Sequence, residues 1–332
     1  MKNILVTGGA GYVGSGLLRE LLLKEYNVTC IDNLLFGGES LLDIWHNKNF
    51  TFYKCDINDS QKLDEVFLKN DFDAVIHLAA IVGDPACKLN PDLANKTNWM
   101  SSKWLIERSK SAGVSKFIFA STCSNYGKMD DPEAYVDENS RLAPVSLYAE
   151  LKVKFEKYML SQMKRIDGFS PTSLRFSTVY GLSPRMRFDL TVNEFTKDLA
   201  LEKELVIFGE QFWRPYCHVK DFSNAFITVL KSPNEKVAYN VFNVGDTKEN
   251  YTKQMLVNEI KKVLPKSKIK YVAKNEDARD YRVNCDKIKN ELGFKISMTV
   301  PDGIMEIKRV IKENLITDSE DQKYYNIPHE RK

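Results

Sequence analysis

Tyr148 and Lys152 stand four residues apart in Tyr148-Ala149-Glu150-Leu151-Lys152, a spacing that puts both side chains on one face of a helix. An ammonium beside a phenol favours the phenolate, so Tyr148 can act as general base on a hydroxyl proton. Upstream, residues 116–120 read as a strand ending in Ser121-Thr122-Cys123-Ser124. From there the Thr122 hydroxyl can steady the oxygen that Tyr148 deprotonates. Taken alone, such a pair is common in helices that only pack. Removing a hydroxyl proton becomes an oxidation when a hydride acceptor is at hand, and the N-terminus carries a site for one.

Residues 3–6 form an apolar strand that runs into Thr7-Gly8-Gly9-Ala10-Gly11-Tyr12-Val13-Gly14 and then into an apolar helix. Gly8, Gly11 and Gly14, three apart, let the backbone turn and approach a diphosphate. The first N–H groups of the helix, at Tyr12 and Val13, face it with the positive end of the helix dipole. Asp32, with Asn33 beside it, ends the second strand eighteen residues past Gly14. A carboxylate there accepts the ribose 2′ and 3′ hydroxyls and repels a 2′-phosphate, and no arginine follows it, so the expected cofactor is NAD. At the end of the third strand Asp56 can take the adenine amino group and Ile57 can pack on the ring; taken alone, Asp56 reads as a loop cap before it reads as a ligand.

The elements that must position these groups alternate. Strands are expected at 3–6, 27–31, 50–53, 74–78, 116–120 and 172–176, with helices at 13–24, 60–69, 92–112 and 146–164 between them. This βαβ punctuation predicts a doubly wound parallel sheet of the Rossmann type. After residue 177 the alternation gives way to a polar loop, 177–189, and to helices near 190–203, 219–231, 251–263 and 301–314 with short strands interleaved. The expected organisation is therefore an NAD-binding domain over 1–177 that carries Thr122, Tyr148 and Lys152. A smaller mixed α/β substrate lobe follows over 178–316, with excursions back to the first domain. A polar tail, 317–332, is expected to dock loosely if at all.

The 48 basic and 45 acidic residues among 332 are interspersed and leave a net charge of +3, which argues against a nucleic-acid surface. The lysine excess from 253 to 274 reads as a solvated face. Six cysteines at 30, 55, 87, 123, 217 and 285 show no metal-ligand spacing, and no metal is expected. Apolar runs such as 3–6 and 73–82 fall short of the roughly 20 residues a membrane span needs. With no secretory h-region in view, a soluble cytoplasmic protein without a membrane partner is expected.

Taken in order, the glycine turn, Asp32, the hydroxyl-rich strand end and Tyr148-x-x-x-Lys152 resemble the extended short-chain dehydrogenase/reductase family, the nucleotide-sugar epimerases and dehydratases, over roughly residues 1–315. The resemblance implies a nucleotide-diphosphate sugar oxidised at a ring hydroxyl. Tyr148 would be the base, Lys152 its partner and ribose ligand, and Thr122 the proton relay. It also implies that Leu78, Ala79 and Ala80, after His77, border the nicotinamide, and that Asn98 stands behind the site. Leu174-Arg175-Phe176 with Tyr180-Gly181 match the sixth strand and its turn. Asn193 and Arg214 fall where the family binds the nucleotide diphosphate, and Arg279 falls near its late phosphate-binding arginine. Guanidinium forks suit that chemistry. A homodimer built on helices 92–112 and 146–164, and a role in cell-surface polysaccharide synthesis, follow by analogy.

Departures narrow the reaction. Family 4,6-dehydratases follow the threonine with Asp-Glu, where this chain has Cys123 and Ser124, which stand in the same substrate-bordering positions but exchange protons poorly; with no histidine placed to activate it, Cys123 reads as a small packed thiol before it reads as a reactive one. UDP-galactose 4-epimerases carry a lysine and an asparagine where this chain has Val82 and Thr178. Ser183-Pro184-Arg185-Met186-Arg187-Phe188-Asp189 resembles a narrower subset that includes GDP-heptose 4-dehydrogenases and 4-epimerase-like enzymes; Arg185 or Arg187 either faces the substrate or forms salt bridges that order the loop. The implied activity is oxidation at C4, as a 4-epimerase or a 4-dehydrogenase. The alternatives are a 4,6-dehydratase and a non-catalytic NAD-binding sensor or scaffold.

Overall fold

The computed structural model describes residues 2–129, 131, 134–273 and 279–329. Lys274, at the end of the lysine-rich stretch, Asp277 and Ala278 before Arg279, and the last three tail residues lie outside them. Along the chain the strands are β1 (Asn3–Thr7), β2 (Asn27–Asp32), β3 (Phe50–Lys54), β4 (Ala74–His77), β5 (Lys116–Thr122), β6 (Ser170–Phe176), β7 (Thr178–Tyr180), β8 (Leu205–Phe208), β9 (Trp213–His218), β10 (Asn240–Val244), β11 (Asn250–Thr252) and β12 (Ile269–Val272). The helices are α1 (Tyr12–Leu23), α2 (Ser60–Lys69), α3 (Asp84–Leu89), α4 (Pro91–Asn95), α5 (Ser102–Ser111), α6 (Leu147–Lys157), α7 (Thr191–Ala200), α8 (Val219–Lys231), α9 (Asn234–Val237), α10 (Lys253–Val263), α11 (Asp286–Leu292) and α12 (Val300–Lys312).

Seven strands pair in the order β10-β6-β5-β4-β1-β2-β3, and every pairing among them is parallel. The interior strands are apolar on both faces because helices cover both faces. Along β1, Ile4 and Val6 join a core with Leu17, Leu18 and Leu21 of α1 and Phe222 and Phe226 of α8, whereas Leu5 joins the opposite core with Leu63, Leu105 and Phe155. Val75 and Ile76 of β4, and Phe117 and Ile118 of β5, divide in the same way. This is the period-two alternation of a strand. Each fully buried leucine of α1 contributes about 1.5–3 kcal/mol by leaving water.

Strand order reverses between β1 and β4: the chain runs outward through β2 and β3 on one side and through β5, β6 and β10 on the other. In open α/β sheets a crevice forms at the carboxyl ends of the strands at such a point. Gly8 follows β1 and Leu78 follows β4, so both border it. Strands β11-β9-β7 and the pair β12-β8 lie outside this sheet, with α7, α10 and α12 packed on them through Val192, Leu256, Ile260, Val300 and Ile304.

Three local expectations change. The 177–189 segment contains β7, whose alternation is too short to read in three residues. The 92–112 helix is interrupted by a wide π-helical turn at Lys96–Ser101, and the 146–164 helix ends in one at Tyr158–Gln162; the two turns meet through Trp99 and Tyr158, rings edge to face at 5.7 Å. The tail is docked rather than loose. Tyr325 is buried beside Met186, Phe188, Ile307 and Ile311, its hydroxyl accepts from Lys197 Nζ at 3.0 Å, and Tyr324 O accepts from Phe188 N. Composition made the tail look peripheral; two tyrosines and one lysine placed to receive them anchor it.

Candidate active site

A cleft of about 820 Å3 opens at the switch point. Its floor is the β1–α1 turn. Gly8 has φ +76°, and a Cβ there would sit 2.7 Å from Ala79 N, while a Cβ on Gly14 would sit 2.3 Å from Gly8 O. These two glycines are required by backbone approach. Gly11 differs, because a Cβ there would meet only Gly8 O, at 3.4 Å; the space beyond it belongs to whatever the turn holds. Gly11 is also the N-cap of α1 and makes no side-chain cap, so the first-turn N–H groups at Tyr12 and Val13 have no intrahelical acceptor. A diphosphate fits this donor set.

Asp32 stands at the cleft wall with Oδ2 accepting from Ala10 N at 3.0 Å and Oδ1 from Leu34 N at 2.8 Å. Each oxygen keeps a lone pair for ribose hydroxyls. Burial raises the Asp32 pKa and the two backbone N–H groups oppose that rise. Asn33 donates to Asp56 Oδ2 at 2.8 Å, and Asp56 Oδ1 caps Asn58 N. Asp56 is thus a loop cap that also lines the cleft, as do Asn33 and Ile57. The residues after β4, Leu78, Ala79 and Ala80, form the next stretch of wall. His77 itself is buried and held between Thr7 Oγ1 (2.8 Å) and Ser102 Oγ (2.9 Å); burial presses its pKa down to about 3, so it stays neutral.

Thr122, Ser124, Tyr148 and Lys152 line the same cleft. Thr122 caps the turn beyond β5, its Oγ1 accepting from Ser124 N at 3.1 Å. The Ser146 hydroxyl accepts from Ala149 N and starts α6, so Tyr148 falls in the first turn and Lys152 one turn later. Lys152 Nζ donates to Ala120 O at 2.8 Å and lies 5.8 Å from the Tyr148 ring centre. In the ligand-free cleft burial is the largest influence on the phenol. Burial raises the Tyr148 pKa, with Cys87 and Asp84 adding to the rise and Arg187 opposing it, and burial holds Lys152 down to about 7. For both groups desolvation is the largest influence.

Three expected site residues do not reach the cleft. Cys123 is buried with its thiol on Arg175 O at 3.2 Å, and burial raises its pKa. Asn98, carried by the wide turn, accepts from Ile81 N at 2.8 Å and donates to Ile81 O at 2.9 Å; it fixes the loop after β4 from behind. Asn193 is fully buried, accepting from Gly181 N and donating to the Tyr12 hydroxyl and Arg187 O. Both amides are held by protein partners and neither side chain lines the cleft.

At the far end, Arg187 pairs with Asp189 through Nε and Nη2, at 2.8 and 2.9 Å. Arg279 Nη1 pairs with Asp84 Oδ2 at 2.8 Å, and Asp84 Oδ1 accepts from Ser146 Oγ at 2.6 Å. Arg214 donates to Trp213 O and lies over the Tyr281 ring. Arg185, Arg187, Arg214 and Arg279 all line the cleft, with Val82 and Thr178. Asp84, Asp189, Tyr281, Asn326 and Ile327 also stand in the wall and were missed. Asn326 N donates to Asp189 Oδ2 at 3.0 Å, which binds the tail to the Arg187 loop; the acid at 189 was visible in its motif, the tail contact was not.

A doubly wound parallel sheet with a dinucleotide cradle and a Thr/Tyr/Lys group at its switch point defines an NAD-dependent enzyme of the short-chain dehydrogenase/reductase type. More narrowly, the chain belongs to the NAD dependent epimerase/dehydratase family, whose model matches residues 4–245. It is 30% identical over 327 residues to a UDP-glucuronate 4-epimerase of Thermodesulfobacterium geofontis, covering 95% of this chain and 98% of that one. The structure of a UDP-glucose 4-epimerase with UDP-glucose from Thermotoga maritima is similar at TM-score 0.83 and 29% identity, over 94% of this chain and 99% of that one. A dTDP-glucose 4,6-dehydratase from Bacillus anthracis, in complex with NAD, is similar at TM-score 0.82 and 25% identity, over 98% and 99%. The narrower likeness of residues 183–189 to GDP-heptose 4-dehydrogenases rests on that motif alone.

Proposed function

We propose that this chain oxidises C4 of a nucleotide-diphosphate sugar, as a 4-epimerase or a 4-dehydrogenase. The observation that carries this reading is the meeting of Thr122, Tyr148 and Lys152 with the Leu78–Ala80 wall in one cleft whose other end is lined by arginines. Residues 1–177 hold the dinucleotide, residues 178–316 mainly seat the sugar nucleotide, and the named relatives that act on UDP- and dTDP-sugars support that substrate class.

Bound NAD supplies a hydride acceptor. Tyr148 Oη takes the proton of the C4 hydroxyl and Thr122 Oγ1 holds that oxygen. Lys152, fixed on Ala120 O, stabilises the phenolate once the cleft is filled, and the raised Tyr148 pKa means that the base does not form before then. Arg214 and Arg279 take the diphosphate, and Arg187, whose charge reaches Tyr148, faces the sugar. Dehydration is disfavoured because position 123 is a thiol turned into the core and Ser124 is a poor proton carrier.

A homodimer on Pro91–Ser111 and α6 is part of the proposal, supported by the outward Leu93 and Met100 side chains. Among the described residues no helix is long and apolar enough to cross a membrane; with six unpaired buried cysteines, this supports a cytoplasmic enzyme. The test is incubation with UDP-, GDP- and dTDP-sugars while following 340 nm absorbance and product stereochemistry. An epimer without net NADH makes it an epimerase, and accumulating NADH with a 4-keto product makes it a dehydrogenase. A 4-keto-6-deoxy product, or none across the panel, overturns the reading.

A further inference from the structure

Arg185 is a buried charge whose guanidinium has no hydrogen-bond or salt-bridge partner among the described residues. Its side chain belongs to a residue 7% exposed, Nε and Nη2 are closed to solvent without a hydrogen bond, and among the described residues the guanidinium has no salt bridge. Asp189, the nearby carboxylate, gives both oxygens to Arg187. Leaving a guanidinium desolvated and unpaired is expensive, and native folds avoid it unless a ligand completes the site. Burial, with Arg187 adding to it, lowers the Arg185 pKa to about 10; the group still stays charged at neutral pH.

Its position names the ligand. The loop that carries it is sewn to the first turns of α1: Ser183 Oγ donates to Tyr12 O at 2.5 Å, the Ser15 and Ser183 hydroxyls lie 3.0 Å apart, and Ser15 Oγ accepts from Arg185 N at 3.3 Å. On its other side the guanidinium lies 4.3 Å from the ring centre of Phe36, in the loop that follows Asp32. The charge therefore sits between the uncapped N-terminus of α1 and the loop beyond the ribose carboxylate, where the open space at Gly11 receives a diphosphate. Phe36, 37% exposed, covers that face of the guanidinium.

We propose that Arg185 is a ligand of the dinucleotide's diphosphate, carried across from the second lobe and covered by Phe36 until the cofactor arrives. This moves it from the sugar nucleotide to NAD. A guanidinium fork adds directed donors to a cradle that otherwise offers backbone N–H groups alone. The proposal rests on the family's cofactor and not on the sugar reading, so the two can fail separately.

The test measures binding of NAD, ADP-ribose and UDP to the full chain freed of cofactor, by calorimetry, for wild type, Arg185→Ala and Arg185→Met. The methionine variant keeps apolar volume against Phe36. Both variants should bind NAD and ADP-ribose roughly 10- to 100-fold more weakly, with UDP affinity unchanged, and should melt no lower than wild type without ligand because an unpaired charge is gone. Unchanged NAD and ADP-ribose affinity overturns the proposal. So does a loss confined to UDP, which returns Arg185 to the substrate, or a fall in unliganded stability in both variants with all three ligands weakened alike, which makes it structural.

Discussion

The two ends of the cleft are built in different ways. At the cofactor end the recognising groups are backbone or held by backbone: the β1–α1 turn and the free N–H groups of α1, and an Asp32 carboxylate fixed by two main-chain donors. At the substrate end they are long side chains held by one another, Arg187 on Asp189 and Arg279 on Asp84, across loops and a docked tail. Changing the first end moves the fold, while changing the second moves only the ligand. One fold can therefore keep its dinucleotide and exchange its sugar.

The largest effect should follow Gly14→Ala. A Cβ 2.3 Å from Gly8 O cannot be placed without shifting the turn, and NAD affinity measured by calorimetry should fall more than about 100-fold, or roughly 3 kcal/mol. Retained affinity would show that the turn yields and would erase the contrast.

Of comparable size is the effect of breaking the Arg175–Glu156 pair, buried between β6 and α6, with Ser173 and the Tyr126 hydroxyl completing it. Glu156→Ala strands the guanidinium and should cost about 3–5 kcal/mol in urea unfolding. Asp84→Ala, which breaks the half-exposed pair with Arg279, should cost less than about 1 kcal/mol while raising KM for the sugar nucleotide. Equal costs would contradict the division between a rigid and an exchangeable end.

Tyr325→Ala tests the docked tail. Losing a ring 4% exposed and its bond to Lys197 should cost about 2–4 kcal/mol; under about 0.5 kcal/mol, the tail would be peripheral after all.

The last effect is a pH slope. With Lys152 held down to about 7, the unfolded chain binds more protons than the folded chain between about pH 7 and 10.5, so stability rises with pH there. Unliganded wild type should gain stability relative to Lys152→Met over that window and run parallel to it below. A flat difference would mean that the lysine is not desolvated.

What was legible follows from range. The six parallel strands, the glycine turn, Asp32 and Tyr148-x-x-x-Lys152 are local patterns in which strand period, helical spacing and turn chemistry agree. The substrate end is made by distance: Asp84 meets Arg279 across 195 residues, and Asn326 meets Asp189 across 137. No local spacing announces either. Asn98 and Asn193 were placed near the site by motif position, yet their amides are consumed by Ile81 and by Gly181, Tyr12 and Arg187. For Tyr148 the pair chemistry was visible in the spacing, whereas the burial that raises its pKa was not.

The central claim is that Tyr148 is the base in a cleft where NAD binds independently of it. Single-turnover kinetics of Tyr148→Phe, with NAD affinity measured on the same preparation, tests it most directly. Chemistry should slow by about 10²- to 10⁴-fold with NAD affinity within about threefold of wild type. A rate within about threefold of wild type would contradict the account.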